Sequence, residues 1–336
     1  LVFDEPTAAL GSEDVDKLFA VIGELKDRGL GIVYISHRLA ELPRIADRVS
    51  VLRDSRMVGT RQMAGCKISD LTSMMLGHDL SEVFPAKTNT PGEVVLEVRG
   101  LTRPGVFEDI SFDLRAGEIL GIAGLVGSGR TEIARAIFGA INASGTVKFK
   151  GKSLPRRAPH RSLAAGIGMV PEGRKTFGNI TARTVRENIT VSILKRLAGP
   201  MAFASPRRIT DSADGMICCM EIDPPVGEMS IENLSGGNQQ KVIVGRWLAA
   251  EPEVLIFDEP TQGIDVGTKK QMYKIISSLA AAGRAIILIS SELIEITELA
   301  DRILVIRNGR LTGERPGGQI EEDQLFELCL GKTEFE

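Results

Sequence analysis

The segment Leu1-Val-Phe-Asp-Glu-Pro-Thr7 returns as Leu255-Ile-Phe-Asp-Glu-Pro-Thr261, and this repetition constrains the fold more than any other feature of the chain. The offset that carries Leu1 to Leu255 then holds without a gap. It pairs Leu25 with Leu279, Gly29 with Gly283, and Ile35-Ser36 with Ile289-Ser290. Farther on it pairs Ala46-Asp47-Arg48 with Ala300-Asp301-Arg302, and Gly59 with Gly313. A constant register over about sixty positions reports internal duplication, and a period this long is a whole domain rather than a solenoid unit. The first copy shows only its last third, and the chain opens on an apolar run without methionine. The expectation is a fragment: residues 1–76 as the C-terminal part of a first domain, residues 94–330 as a complete second one.

The repeated unit reads as α/β. Val254–Phe257 and Ala285–Ile289 are short β-branched apolar runs, as expected of strands buried on both faces of a parallel sheet. Between them Met272, Ile275, Ile276 and Leu279 follow helical spacing and make one apolar stripe. Strand, helix, strand at this spacing is a βαβ crossover. Residues 77–93 are polar, contain Pro and Gly, and show no period, so they are expected to link the two domains.

Composition narrows the function classes. With 43% hydrophobic and 25% charged residues the chain is globular rather than disordered. A net charge of −3, spread along the chain, argues against a dedicated nucleic-acid binder. Cys66, Cys218, Cys219 and Cys329 show no CxxC spacing, which speaks against zinc and against a disulfide scaffold. No apolar run is long enough to span a bilayer, and no secretory leader is recognisable.

Three motifs carry chemistry. Gly124-Leu-Val-Gly127-Ser128-Gly129-Arg130-Thr131 follows the apolar run Ile119–Ala123 and precedes helical spacing at Ile133, Ala134, Ile137 and Phe138. This is a phosphate loop at the strand-to-helix junction such a loop requires. Its glycines let backbone N–H groups face phosphates, and Thr131 is placed to ligate Mg²⁺. Arg130 stands where lysine is expected, and its planar fork is not a compact point charge. Asp258-Glu259 ends a strand, where open α/β sheets place their sites. Asp258 is the metal candidate and Glu259 the group that orients or deprotonates a water, although acids also suit a helix N-terminus. Leu234-Ser235-Gly236-Gly237-Asn238-Gln239-Gln240-Lys241 opens a third helical stretch. Ser235 can cap it, and two glycines after a cap cost helix stability unless they serve an anion.

These motifs, in this order, resemble the ATP-binding-cassette (ABC) ATPases, with LSGGNQQ matching that family's signature. The resemblance covers residues 94–316 and, for the truncated copy, 1–75. GLVGSGRTE, VPEGRK at Val170–Lys175 and LSGGNQQKV are similar to the two-cassette ATPase subunits of bacterial monosaccharide importers. The resemblance implies a P-loop cassette fold: a parallel sheet core, an antiparallel β-subdomain and a helical subdomain at about residues 176–232.

For the site it implies ATP and Mg²⁺, sandwiched between one cassette's phosphate loop and the other's signature. Ser235, Gly236, Gly237, Asn238 and Gln239 would close over ATP of the first cassette. That cassette keeps Asp4 for Mg²⁺, Glu5 as base and His37 as switch histidine. The second site departs from the pattern: Arg130 replaces lysine, Glu172 stands at the glutamine-loop position, and Ser291 stands in the register of His37. It is therefore expected to be the poorer catalyst. Gly11 replaces the aspartate that its counterpart Asp265 retains, and Phe107 is either an adenine-stacking ring or an ordinary core residue.

Implied partners are transmembrane permease subunits and, through them, a periplasmic or extracellular sugar-binding protein, with the chain peripheral on the cytoplasmic face of the bacterial inner membrane. The helical segments Glu187–Leu197 and Asp211–Met220 would face the permease, although the Met and Cys cluster also suits core packing. A soluble twin-cassette protein acting on ribosomes or nucleic acid is the alternative that the short linker and acidic balance oppose. A non-hydrolysing regulatory module is the other.

Overall fold

A computed structural model describes residues 1–332, apart from residues 5, 8–11, 37–40, 54–55, 67–69, 72–73, 76–82, 155–157 and 199–203. Two compact units are present, Leu1–Phe84 and Pro85–Glu336. Glu5, Gly11 and His37 lie outside the described residues.

In the first unit β1 (Val2–Asp4) and β2 (Val33–Ile35) pair in parallel, joined by helix α1 (Ser12–Asp27). A one-turn helix α2 (Leu42–Ile45) leads into the antiparallel hairpin β3 (Arg48–Arg53) and β4 (Arg56–Gln62). Val15, Phe19 and Ile22 on α1 form a small core against Phe3 and Tyr34.

The second unit begins with β5 (Val94–Arg103), β6 (Phe107–Arg115) and β7 (Ile119–Ala123). Helix α3 (Arg130–Phe138), β8 (Ser144–Phe149), β9 (Lys152–Ser153), α4 (Pro159–Ala165) and β10 (Ile167–Val170) follow. A helical stretch holds α5 (Val185–Thr190), α6 (Leu194–Leu197), α7 (Pro206–Cys219) and α8 (Gly236–Leu248). The chain closes with β11 (Val254–Asp258), α9 (Val266–Ala281), β12 (Ala285–Ile289), α10 (Leu293–Leu299), β13 (Arg302–Arg307), β14 (Arg310–Pro316) and α11 (Glu322–Leu330).

The main sheet runs β10-β11-β12-β7-β13-β14, parallel except where β14 pairs antiparallel with β13. Every residue of β7, β10, β11 and β12 is buried, so these strands read as unbroken apolar runs. A four-stranded antiparallel sheet, β6-β5-β8-β9, packs its inner residues Leu96, Val98 and Ile110 into the same core as Ile122 and Ile137. The C-terminal ends of β7, β11 and β12 therefore open side by side at one edge of the core.

The repeated segment pairs its strands in the same register in both units. β1 pairs with β2 at Val2–Val33 and Asp4–Ile35, and β11 pairs with β12 at the equivalent Ile256–Ile287 and Asp258–Ile289. Both terminal hairpins carry an irregularity at the same place, between Val51 and Leu52 and between Val305 and Ile306.

Several expectations are corrected. Phe107 is 2% exposed and packed in the core, so it is no platform for a base. The segment 187–197 is not one helix. α5, capped by the Thr184–Glu187 box, gives way to a 3₁₀ turn at Val191–Ile193 before α6, where the β-branched run Ile189-Thr190-Val191 weakens helix propagation. On α7 only part of the Met and Cys cluster is core, since Met220 is buried while Cys218 and Cys219 are exposed. The buried face of α9 is Met272, Tyr273, Ile276 and Ala280, turned from the expected stripe to bring Tyr273 inward.

Candidate functional site

The loop after β7 turns back on itself through Ser128 N–H to the Leu125 carbonyl at 3.0 Å, with Gly127 and Gly129 at positive φ. It is pinned to the β13–β14 turn by Gly309 N–H donating to the Ser128 carbonyl at 3.1 Å. A Cβ on Gly124 would meet the Ile306 carbonyl and lie 2.6 Å from Ser128 Oγ, so only glycine lets the loop leave the sheet this closely. Helix α3 starts directly at Arg130, and its first N–H groups and partial positive charge face the loop. Ser128 Oγ is buried without a partner among the described residues, as fits a donor waiting for phosphate oxygen.

Thr131, on the first turn of α3, donates its hydroxyl to Asp258 Oδ1 at 3.0 Å and lies 3.4 Å from Glu172 Oε2. Asp258 Oδ2 is buried and has no hydrogen-bond partner among the described residues. Burial pushes this carboxyl up to about 6, against the opposing donation from Thr131. A hydroxyl beside a carboxylate oxygen left unpaired is the donor set of a hard divalent cation completed by phosphate, so the residues present fit Mg²⁺. No cluster of three or more His, Cys, Asp or Glu side chains suited to a metal occurs among the described residues. An ion here would have to take its remaining ligands from nucleotide and water.

Glu259 follows Asp258 with φ 50°, a left-handed conformation that costs a non-glycine residue about 1 kcal/mol. Its N–H donates to the Ile289 carbonyl at 2.9 Å, which holds the turn. The carboxylate lies 3.8 Å from an Arg130 Nη and accepts the Ser291 hydroxyl at 3.0 Å. Burial raises its pKa, and Arg130 is the largest influence opposing the rise. Arg130 itself is buried and donates to the Ser290 carbonyl at 2.6 Å. The cation of the loop is thus turned onto β12 and the acidic pair.

Arg130, Thr131, Glu172, Asp258, Glu259 and Ser291 come together at the ends of β7, β11 and β12. The glycine-rich helix start is a separate feature. Ser235 caps α8, accepting from Asn238 N–H at 3.4 Å and from the Asn238 side chain at 3.0 Å. Gln239 bonds the Leu234 carbonyl and Asn179, and Gly237 lies so close to Thr268 that a Cβ would clash. Among the described residues, no hydrogen bond joins Ser235, Asn238 or Gln239 to the phosphate loop. Arg174 packs on Gly236 and donates to the Gly263 carbonyl at 2.7 Å, lining a cavity of about 250 Å³ with Gln240, Gln262 and Glu259. Asp4 ends β1, exposed, in the register of Asp258.

Sequence reasoning missed Ser290, Glu295 and Tyr273. Glu295 is fully buried and accepts hydroxyl donation from Tyr273 at 2.6 Å and from Ser290 at 2.7 Å. The signal was available: the repeat places Glu41 opposite Glu295 and Ser36 opposite Ser290.

A phosphate loop after β7, an acidic pair at the end of β11 one strand removed across β12, and a capped glycine-rich helix, on this mixed sheet with an antiparallel layer, define a nucleotide-binding cassette. The ABC transporter family model matches residues 107–262. Ribose import ATP-binding protein RbsA 1 of Rubrobacter xylanophilus is 43% identical over 99% of this chain and 67% of its own length. The chain belongs to the ABC transporter family. A Burkholderia ambifaria protein named putative ribose/galactose/methyl galactoside import ATP-binding protein 3 is 44% identical over 98% of this chain. The chain spans 64% of that relative's length. A nucleotide-free ATP-binding cassette from an ABC transporter shares the fold, with a TM-score of 0.59 and 21% identity over 71% of this chain and 96% of that one.

Proposed function

We propose that this chain belongs to an ATP-hydrolysing subunit that powers import of a monosaccharide through a membrane permease. The observation that carries the reading is the junction of Thr131 and Glu172 with the unpaired Asp258 oxygen, beneath a loop whose Ser128 hydroxyl is unpartnered. The names of the relatives supply the sugar and the direction of transport.

In this reading residues 94–330 are one cassette, with a helical subdomain at about 176–232 that faces the permease. Residues 1–76 belong to a preceding cassette, and 77–93 link the two. Gly124, Gly127, Ser128, Gly129 and Arg130 hold the phosphates of one ATP. Thr131 and Asp258 hold Mg²⁺, which offsets phosphate charge when bound, and Glu172 faces the same point. Ser235, Gly236, Gly237, Asn238 and Gln239 close over ATP of the first cassette, where Asp4 takes the metal, Glu5 removes the proton from water and His37 faces the γ-phosphate. The subunit sits on the cytoplasmic face of the bacterial inner membrane, and its permease receives sugar from an external binding protein. No described helix is long and apolar enough to cross a membrane.

A second reading, nucleotide binding without turnover at the Arg130 site, is favoured by the Arg130–Glu259 contact, which occupies the candidate base. Turnover of the whole protein with its permease separates the two sites. Loss with Glu5→Gln and little change with Glu259→Gln supports one working site. The reverse pattern overturns the assignment.

A further inference from the structure

Each unit buries a glutamate at the same position of the repeat. Glu295 accepts the Tyr273 hydroxyl on Oε1 at 2.6 Å and the Ser290 hydroxyl on Oε2 at 2.7 Å. Glu41, 8% exposed, accepts the Tyr34 hydroxyl at 2.8 Å and the Ser36 hydroxyl at 3.2 Å. The serines and glutamates are equivalent through the repeat, but the tyrosines are not. Tyr34 stands on β2, opposite Leu288, whereas Tyr273 stands on α9, opposite Phe19. A side chain merely inherited by duplication would stand at the same place in both copies. Here the phenol is supplied from a different element each time, and what is kept among the described residues is a buried carboxyl that accepts both the equivalent serine and a tyrosine hydroxyl.

A buried carboxyl is costly to leave without donors, so each glutamate fixes the serine that follows the second parallel strand. That serine is one residue from the chemistry. The Ser290 carbonyl accepts from Arg130 at 2.6 Å, its Oγ accepts from Glu292 N–H at 3.0 Å, and Ser291 donates to Glu259 at 3.0 Å. In the first unit the residue after Ser36 is His37.

We infer that Glu41 and Glu295 are positioning residues. Each anchors the serine that follows the second parallel strand, Ser36 in one unit and Ser290 in the other, and Glu295 thereby sets the Arg130–Ser291 pair offered to the nucleotide's terminal phosphate. The inference rests on the ATP-hydrolysing reading above. Neither glutamate touches the nucleotide. They act through Ser36 and Ser290.

The test is steady-state ATP turnover of the whole protein with its permease in vesicles, with melting temperatures taken on the same preparations. Ser36→Ala and Glu41→Gln are expected to lower kcat about tenfold at unchanged KM, because a misplaced switch residue is missed only in the transition state. Ser290→Ala and Glu295→Gln are expected to lower KM for ATP severalfold with kcat nearly kept, because the cation released from the Ser290 carbonyl is free to follow ground-state phosphate. Glu41→Ala should be more severe than Glu41→Gln, whose carbonyl can replace the Oε2 that accepts both hydroxyls. Wild-type kcat and KM in all four variants overturn the inference. So does activity that falls only in step with the melting temperature, with no split between kcat and KM. If the wild type binds Mg-ATP by calorimetry but does not turn it over, the functional reading fails instead. The inference is then decided by Mg-ATP affinity, which Glu295→Gln must raise at least about threefold.

Discussion

Arg130 donates to the backbone carbonyl of Ser290 at 2.6 Å, so the phosphate loop is tied to the end of β12 by its own cation. Lysine at this position would be a point charge free to follow a phosphate. The guanidinium is shared between Ser290 and Glu259, and both contacts are shielded from solvent. A nucleotide entering the loop competes with these contacts for the same donors.

Arg130→Ala is expected to weaken Mg-ATP binding by about 2 kcal/mol, the scale of one charge-assisted hydrogen bond to phosphate. Calorimetric titration of the chain measures it. An affinity unchanged within error would mean that Arg130 stays on Ser290 when nucleotide is bound. Arg130→Lys, in a Glu5→Gln background, is expected to raise residual turnover by freeing Glu259.

Asp258→Asn removes the carboxylate whose second oxygen is unpaired. The variant should bind ATP equally well with and without EDTA, whereas the wild-type chain should bind more tightly with Mg²⁺ present. A retained EDTA effect would place the metal elsewhere.

Arg246 ties the signature helix to its neighbours. Its guanidinium is buried, donating through Nε and one Nη to Asn188 and through the other Nη to the Gly178 carbonyl. Burial pulls its pKa down to about 10. Arg246→Met takes the donor from the Asn188 and Gly178 carbonyls, while the Asn188 side chain keeps its bonds to Ile180 and Thr184, so a loss of about 3 kcal/mol is expected as a lower denaturant midpoint at an unchanged slope. A shift under about 0.5 kcal/mol would show that water replaces the guanidinium.

Burial pushes the Glu295 carboxyl up to about 7, with Glu292 adding to the rise and Lys269 opposing it. The folded value lies above the ordinary 4.5, so folding favours the protonated form. Its contribution to stability is complete below the unfolded value and is lost as pH rises through about 7. The melting temperature of the wild-type chain should therefore fall more between about pH 5 and about pH 8 than that of Glu295→Gln. Parallel curves would sink the assignment.

The sequence by itself determined the parts whose physics is local. Strands β7, β11 and β12 are legible because burial on both faces demands unbroken apolar runs. The loop at Gly124–Thr131 and the cap at Ser235 are legible because positive φ and helix starts demand particular residues. The duplication, down to the register of Asp4 and Asp258, was written in the repeat. Only the tertiary structure decided what depends on distant partners. Phe107, the first residue of β6, became core because its strand pairs with β5 and packs into the shared core. Tyr273 turned inward because Glu295, on another element, needed a donor. Arg130 was read as a phosphate ligand from its place in the loop, and its hold on Ser290 exists only because β7 and β12 are neighbours in the sheet. A motif specifies which groups are present and the backbone they need. Which donor meets which acceptor is set by strand order, and strand order is a property of the whole core.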